Sequence, residues 1–182
     1  MTYNKTITLR DGSECTVRSC TGEDAEAVLD VFIRTHGQTD YLSSYPDENT
    51  ITIEQEREFL QKRAESSIET ELLAQIDGVI AGSAGIRCIG EKYKLRHRAS
   101  FGISIDSAYR RLGIGKALTE ACIECAKKAG YTQLELEVVA DNEAALSLYR
   151  KMGFTEYGRN PKGFRSRNTG WQELVMMRLE LL

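Results

Sequence analysis

The stretch Arg110-Arg111-Leu112-Gly113-Ile114-Gly115-Lys116-Ala117-Leu118-Thr119-Glu120-Ala121-Cys122-Ile123-Glu124-Cys125 begins as a turn and continues as a helix. Just before it, Phe101, Ile103 and Ile105 alternate with Gly102 and Ser104, the two-residue period of a strand. Within it, Ile114, Ala117, Leu118, Ala121, Cys122 and Cys125 recur at the three- and four-residue spacing of a buried helical stripe. The two glycines at the junction let bare backbone N–H groups converge at a helix N-terminus, where the dipole is positive. Arg110, Arg111 and Lys116 supply positive charge for a phosphate. The competing reading is a pair of glycines that only tighten a turn.

Two well-known phosphate loops do not fit. A P-loop needs glycine where Arg110 stands and a magnesium-binding hydroxyl where Ala117 stands, and a dinucleotide fingerprint needs a third glycine where Leu118 stands. The Cys122-x-x-Cys125 pair raises metal or redox chemistry instead. Both thiols continue the apolar stripe, however, and a structural zinc site needs four ligands. The chain has no second Cys-x-x-Cys, and its histidines are His36 and His97 alone. Packing is the expected role of the pair, and no metal is expected.

Downstream the period alternates again. Leu134, Leu136 and Val138 interleave with Glu135, Glu137 and Val139 as a strand, and a helix runs from about Asn142 to Met152. Strand, helix, strand, helix implies a parallel crossover. Upstream, Ile7 and Leu9 lead to a turn at Asp11-Gly12 and a return through Glu14 to Val17. Helices are expected from Ala25 to near Gly37 and from about Thr52 to Ser66. Glu71 to Ile76 and Val79 to Ile86 flank Asp77-Gly78, a strong hairpin signal. After Gly153 come a strand, a basic loop carrying Arg159, Lys162, Arg165 and Arg167, and a last strand through Val175 and Leu181. The fold class is α/β, with an antiparallel first half and a βαβ unit after it.

The 182 residues suit a single domain over 1–182, and only Pro46 and Pro161 interrupt them. A net charge of -3 gives no general field for nucleic acid or an anionic membrane, so neither is expected as a partner. The polar N-terminus and the lack of a long apolar run point to the cytoplasm. The odd set of five cysteines is expected to be reduced.

Arg110-x-x-Gly113-x-Gly115 resembles the Arg/Gln-x-x-Gly-x-Gly/Ala signature of the Gcn5-related N-acetyltransferases. The resemblance extends over roughly Ala99 to Phe154, through Asn142-x-x-Ala145 and Leu148-Tyr149-x-Lys151-x-Gly153-Phe154. It implies the acyl-CoA N-acyltransferase fold: a mixed sheet of about seven strands and about four helices, whose central parallel strands splay apart. It also implies acetyl-CoA as donor and a primary amine, on a small molecule or a peptide N-terminus, as acceptor. By resemblance, the strand holding Ile103, Ser104 and Ile105 pairs with pantetheine. The amides of Arg111, Leu112, Gly113, Ile114, Gly115 and Lys116, with Arg110 before them, bind pyrophosphate. Asn142 faces the cofactor and Tyr149 lies near its sulfur.

A phenol is protonated at neutral pH and can serve as acid to a departing thiolate. Tyr149 also fits a plain core aromatic, because Ala145, Leu148 and Met152 share its helical face. Ser100 stands where many relatives carry a glutamate that acts as base, and serine cannot take that role unaided. The candidate substitutes are an upstream carboxylate such as Glu71 or Asp40, a water relay, or no base at all for an amine that arrives neutral, and Asp40, Tyr41 and Glu71 are the expected acceptor-side residues. The acids and tyrosines favour a cationic amine, and the basic loop favours an anionic group; an amino-acid-like acceptor satisfies both. A homodimer is common in the family. The alternative function is an acetyl-CoA-binding sensor that has lost transfer.

Overall fold

The computed structural model describes residues 1–181. It holds eight strands and four α-helices: β1 (Asn4–Thr8), β2 (Glu14–Ser19), α1 (Ala25–Gly37), α2 (Ile53–Glu65), β3 (Thr70–Ile76), β4 (Val79–Cys88), β5 (Arg98–Ile105), α3 (Ile114–Lys128), β6 (Gln133–Val139), α4 (Glu143–Lys151), β7 (Thr155–Ser166) and β8 (Gly170–Glu180). The strands form one sheet in the order β1-β2-β3-β4-β5-β6-β8-β7. Only β5 and β6 run parallel, as the crossover through α3 requires.

The helices divide between the two faces according to the pleat. Leu72, Ala74, Ala84, Ile86, Phe101, Leu136 and Met177 pack with Leu118, Cys122 and Cys125 of α3 and with Leu146 and Tyr149 of α4. Leu73 and Ile80, on the other face, pack with Val31 of α1 and Leu60 of α2. Because successive strand residues alternate sides, Ser100 and Gly102 point away from α3, toward the side of α1 and α2. The same alternation puts Glu71 with Leu73, and Glu135 with Glu137, on that side.

Asp77 and Gly78 both adopt positive φ, 48° and 83°, as the two-residue turn between β3 and β4 demands. The expected basic loop is mostly strand: β7 continues to Ser166, and the connection to β8 is only Arg167 to Thr169. Two register shifts, at Glu156/Gly158 and Asn160/Phe164, absorb the irregular residues. Pro161 is tolerated because β7 is the edge of the sheet and has no neighbour on its outer side. The N-terminal hairpin brings the strand count to eight rather than about seven.

Candidate active site

The parallel pairing of β5 with β6 is short. Arg98, Ala99 and Ser100 pair with Gln133, Leu134 and Glu135, and there it stops. Beyond that point β5 stays paired with β4 as far as Ile105, while β6 stays paired with β8 through Val139. The two strands therefore part after Ser100, and Ile103, Ser104 and Ile105 line one wall of the gap. The pivot is held by Arg98, whose Nε and Nη2 donate to Glu135 at 2.5 and 2.7 Å. The Tyr157 hydroxyl adds a third hydrogen bond to that carboxylate at 3.3 Å. Arg98 thereby holds the Glu135 carboxyl below its usual range.

The gap leads to the N-terminus of α3. Arg111 and Gly113 both adopt positive φ, 67° and 106°, so the backbone curls into a concavity. Among the described residues, no backbone N–H from Arg111 to Lys116 donates to a protein acceptor; the first intrahelical bond is from Ala117 to the Gly113 carbonyl at 3.1 Å. The run of free donors at a helix start is a built anion cradle, and the exposed Arg110, Arg111 and Lys116 surround it. Gly113 is required by its φ. Gly115 is required by space, since a Cβ there would press on Ile105 and Leu148 at 3.1 and 3.2 Å.

The cradle is braced from two sides. Arg10 donates its backbone N–H to the Leu112 carbonyl at 3.1 Å. Asp106, buried at the end of β5, accepts from Arg34 and from Gln38 of the α1 terminus, and caps the Ala108 N–H at 3.0 Å. Gln38 in turn accepts from the Ser107 N–H at 2.8 Å.

Tyr149 is buried on the α3 and α4 side of the sheet, edge-on to Phe101 of β5 at 6.1 Å and tilted against Phe154 at 5.8 Å. Burial alone pushes its phenol well above the usual range. Asn142 caps α4, its Oδ1 accepting from the Ala145 N–H at 3.3 Å. Ser100 turns its hydroxyl to the Arg87 carbonyl at 3.4 Å. Cys122 and Cys125 are both free thiols buried in the apolar face of α3. His36 stacks on Phe32 and bonds its carbonyl through Nδ1 at 2.8 Å.

The acceptor-side residues separate. Asp40 uses both carboxylate oxygens to tie the α1–α2 connection to the β7–β8 hairpin: Ser166 Oγ lies at 2.5 Å, Tyr45 Oη at 3.0 Å and Thr169 Oγ1 at 3.1 Å. Gln172 adds a bond to the Asp40 carbonyl at 3.1 Å. These donors hold its carboxyl below the usual range. Tyr41 beside it is exposed. Glu71 is half-buried on the sheet, apart from that network, and burial raises its carboxyl to about 7. Of the basic residues on the hairpin, Arg159 is neutralised by Glu156 and Glu173, and Arg167 by Asp47 and Glu48.

One residue beside the gap was not singled out from the sequence. Glu137 sits on β6 on the same side as Ser100, exposed and outside every ion pair among the described residues. The alternating Leu-Glu-Leu-Glu pattern marks it as solvent-facing, but only the β5–β6 register places it at the gap.

A strand gap opening onto a cradle of free amides suits a donor with a long thin arm and a pyrophosphate. The Acetyltransferase (GNAT) family model matches residues 31–154. This chain belongs to the GNAT acetyltransferase family. An L-amino acid N-acetyltransferase of Escherichia coli K12 is 28% identical over 153 residues, 82% of this chain and 88% of that protein. A ribosomal protein bS18 alanine N-acetyltransferase of the same strain is 46% identical over 56 residues, 31% of this chain and 38% of that protein. The crystal structure of a GNAT acetyltransferase from Streptococcus pneumoniae superposes with a TM-score of 0.87 at 29% identity, covering 91% of this chain and 99% of that one. The chain is an acetyl-CoA-dependent N-acetyltransferase. The gap and cradle fit that donor in shape and charge.

Proposed function

We propose that this GNAT enzyme acetylates the primary amine of an amino-acid-like small molecule or a peptide N-terminus. The observation that carries the reading is the gap between β5 and β6; it is supported by Tyr149 packed against Phe101 of β5 and by the carboxylate of Glu137 on the β6 side, outside every ion pair among the described residues. The likeness to enzymes named for amino acids and for a ribosomal protein alanine supports the acceptor class.

When bound, acetyl-CoA supplies an activated acetyl thioester. The amides of Arg111 to Lys116 hold the pyrophosphate, with Arg110 and Lys116 beside it and Asn142 at the head of α4. The gap-facing backbone of Ile103 to Ile105 would align the pantetheine arm, and a backbone N–H there would stabilise negative charge on the thioester carbonyl oxygen, an effect of about 3 to 4 kcal/mol for one good donor. Glu137 accepts a proton from the incoming ammonium. Tyr149 would give its phenolic proton to the departing sulfur and regain one from the acylated nitrogen; its burial keeps it protonated at neutral pH while making it a weaker acid. Tyr41 and the Asp40 tether shape the entrance for the acceptor.

The test is acetyl-CoA-dependent thiol release across small amines, polyamines, amino acids and peptides beginning with alanine, with mass spectrometry of the product. Acetylation of an α-amine is the expected result. Tight acetyl-CoA binding without thiol release for any amine refutes transfer and identifies a sensor.

A further inference from the structure

Glu71 is a carboxylate without a hydrogen-bonded partner in a place where the sheet has been cleared for it. On β3 it stands opposite Gly85 of β4, and Gly85 stands opposite Gly102 of β5. A Cβ on Gly85 would collide with the Glu71 carboxylate, so the side chain lies flat across that glycine, toward β5. Gly102 has open space where its Cβ would be. Because Ser100 is level with Glu135, extending the register by two residues puts Gly102 level with Glu137, across the gap. One row of the sheet therefore reads Glu71, Gly85, Gly102, gap, Glu137: one carboxylate at each end of a glycine floor.

The spacing suits a cation. Two strand separations place β5 about 10 Å from β3, and the glutamate side chain spans about half of that. What remains over Gly102 is about the width of an ammonium group with its hydrogen bonds. We propose that Glu71 is the specificity-determining carboxylate that docks the acceptor's ammonium in the ground state, so that the enzyme selects amines arriving as cations. This deepens, and rests on, the reading of the gap as the transfer site, with Glu137 taking the proton.

The surroundings leave Glu71 available. The charged and titratable groups around it are Glu56 and Arg63 from α2, Arg87 from β4, Cys20 at the end of β2 and Cys122 from α3. Arg63 is already paired with Glu69, and its guanidinium and that of Arg87 lie against the Phe59 ring, 4.9 and 5.6 Å from its centroid. Neither hydrogen-bonds Glu71 among the described residues. Burial outweighs their attraction and raises the carboxyl to about 7. Glu71 is therefore charged above neutrality and loses its charge below it, while an alkylammonium with a lysine-like pKa of about 10.4 stays cationic throughout.

The deciding experiment measures binding of n-butylammonium to the enzyme saturated with CoA, which cannot turn over, at pH 6 and pH 8. In the unmodified enzyme the affinity should be about tenfold greater at pH 8, as expected for one carboxylate near 7. Glu71→Gln should lower the pH 8 affinity about tenfold or more and flatten the pH dependence, with CoA affinity unchanged. In turnover with the best amine from the thiol-release screen, the loss should fall on the acceptor KM rather than on kcat. Glu71→Asp, which keeps the charge and shortens the reach, should give an intermediate affinity that still rises with pH, and it serves if the glutamine variant does not fold.

An acceptor KM unaffected by Glu71→Gln overturns the proposal, as does a loss confined to kcat, which would make Glu71 the proton acceptor instead. If no amine is acetylated at all, the transfer reading fails while the binding measurement still decides the docking site.

Discussion

Replacing Tyr149 with phenylalanine separates a catalytic phenol from a packed ring. The ring touches Phe101 and Phe154, and phenylalanine keeps both contacts, each worth about 0.5 to 1.5 kcal/mol beyond area burial. The hydroxyl has no hydrogen-bonded protein partner among the described residues, and burial is the sole cause of its raised pKa. Its removal therefore breaks no internal bond, and stability should stay within about 1 kcal/mol of the parent or rise slightly. Turnover should behave differently. Loss of a positioned general acid costs about 10² to 10⁴ in rate, equivalent to about 3 to 5 kcal/mol of barrier. The assay is thiol release at saturating acetyl-CoA and amine, with acetyl-CoA affinity by calorimetry and melting temperature by scanning calorimetry on the same preparation. A kcat down at least a hundredfold, with affinity and melting nearly constant, is the expected pattern. A kcat retained within about a factor of two refutes the acid role and leaves Tyr149 as a core aromatic.

Gly113→Ala forces a Cβ onto a residue at φ 106°, which should cost about 1 to 2 kcal/mol in stability and turn the cradle amides away; acetyl-CoA binding by calorimetry should weaken about tenfold. Asp40→Ala removes the acceptors of Ser166, Tyr45 and Thr169, so the β7–β8 hairpin should loosen, and the chain's one tryptophan, Trp171, should report it through its emission. The tether's pH dependence follows from the lowered Asp40 carboxyl. Its stabilising contribution is complete above the unfolded aspartate pKa of about 3.9 and disappears as pH falls through the lower folded value. The Trp171 signal should therefore hold at pH 5 and change only under stronger acid, and a transition near neutrality would contradict the assignment.

What could be read from the sequence was what local chemistry decides. Asp77-Gly78 specifies its own turn, and the Gly113 and Gly115 spacing specifies a cradle whose amides are free because a helix start always leaves them so. The basic segment around Pro161 misled because polarity and proline suggest a loop, whereas the bulges and the edge position that make it a strand arise only on pairing with β8. Asp40 was legible as an acid near the entrance but not as a tether, since Ser166, Thr169 and Gln172 reach it from the far end of the chain. Glu137 was legible as one polar residue of an alternating strand. Its standing at the gap comes from three residue pairs between β5 and β6, and that register is a tertiary fact.

The same short pairing explains why one break in a sheet can serve a two-substrate reaction. Tyr149 belongs to the face covered by α3 and α4, whereas Glu71, Ser100 and Glu137 belong to the face of α1 and α2. An intact ladder between β5 and β6 would separate the proposed proton donor on one side from the proposed proton acceptor on the other by a continuous layer of backbone. Ending the ladder at Ser100 removes that layer where Gly85 and Gly102 also remove side chains, so an amine on one side and a thioester lying between the strands can meet. The Arg98–Glu135 pair, charge-assisted and partly buried, joins the two strands at the last paired residues, just where the gap begins. On this argument the position of the last β5–β6 pair sets where chemistry occurs. A substitution that unpairs Arg98 should therefore blur acetyl-CoA placement and acceptor placement together.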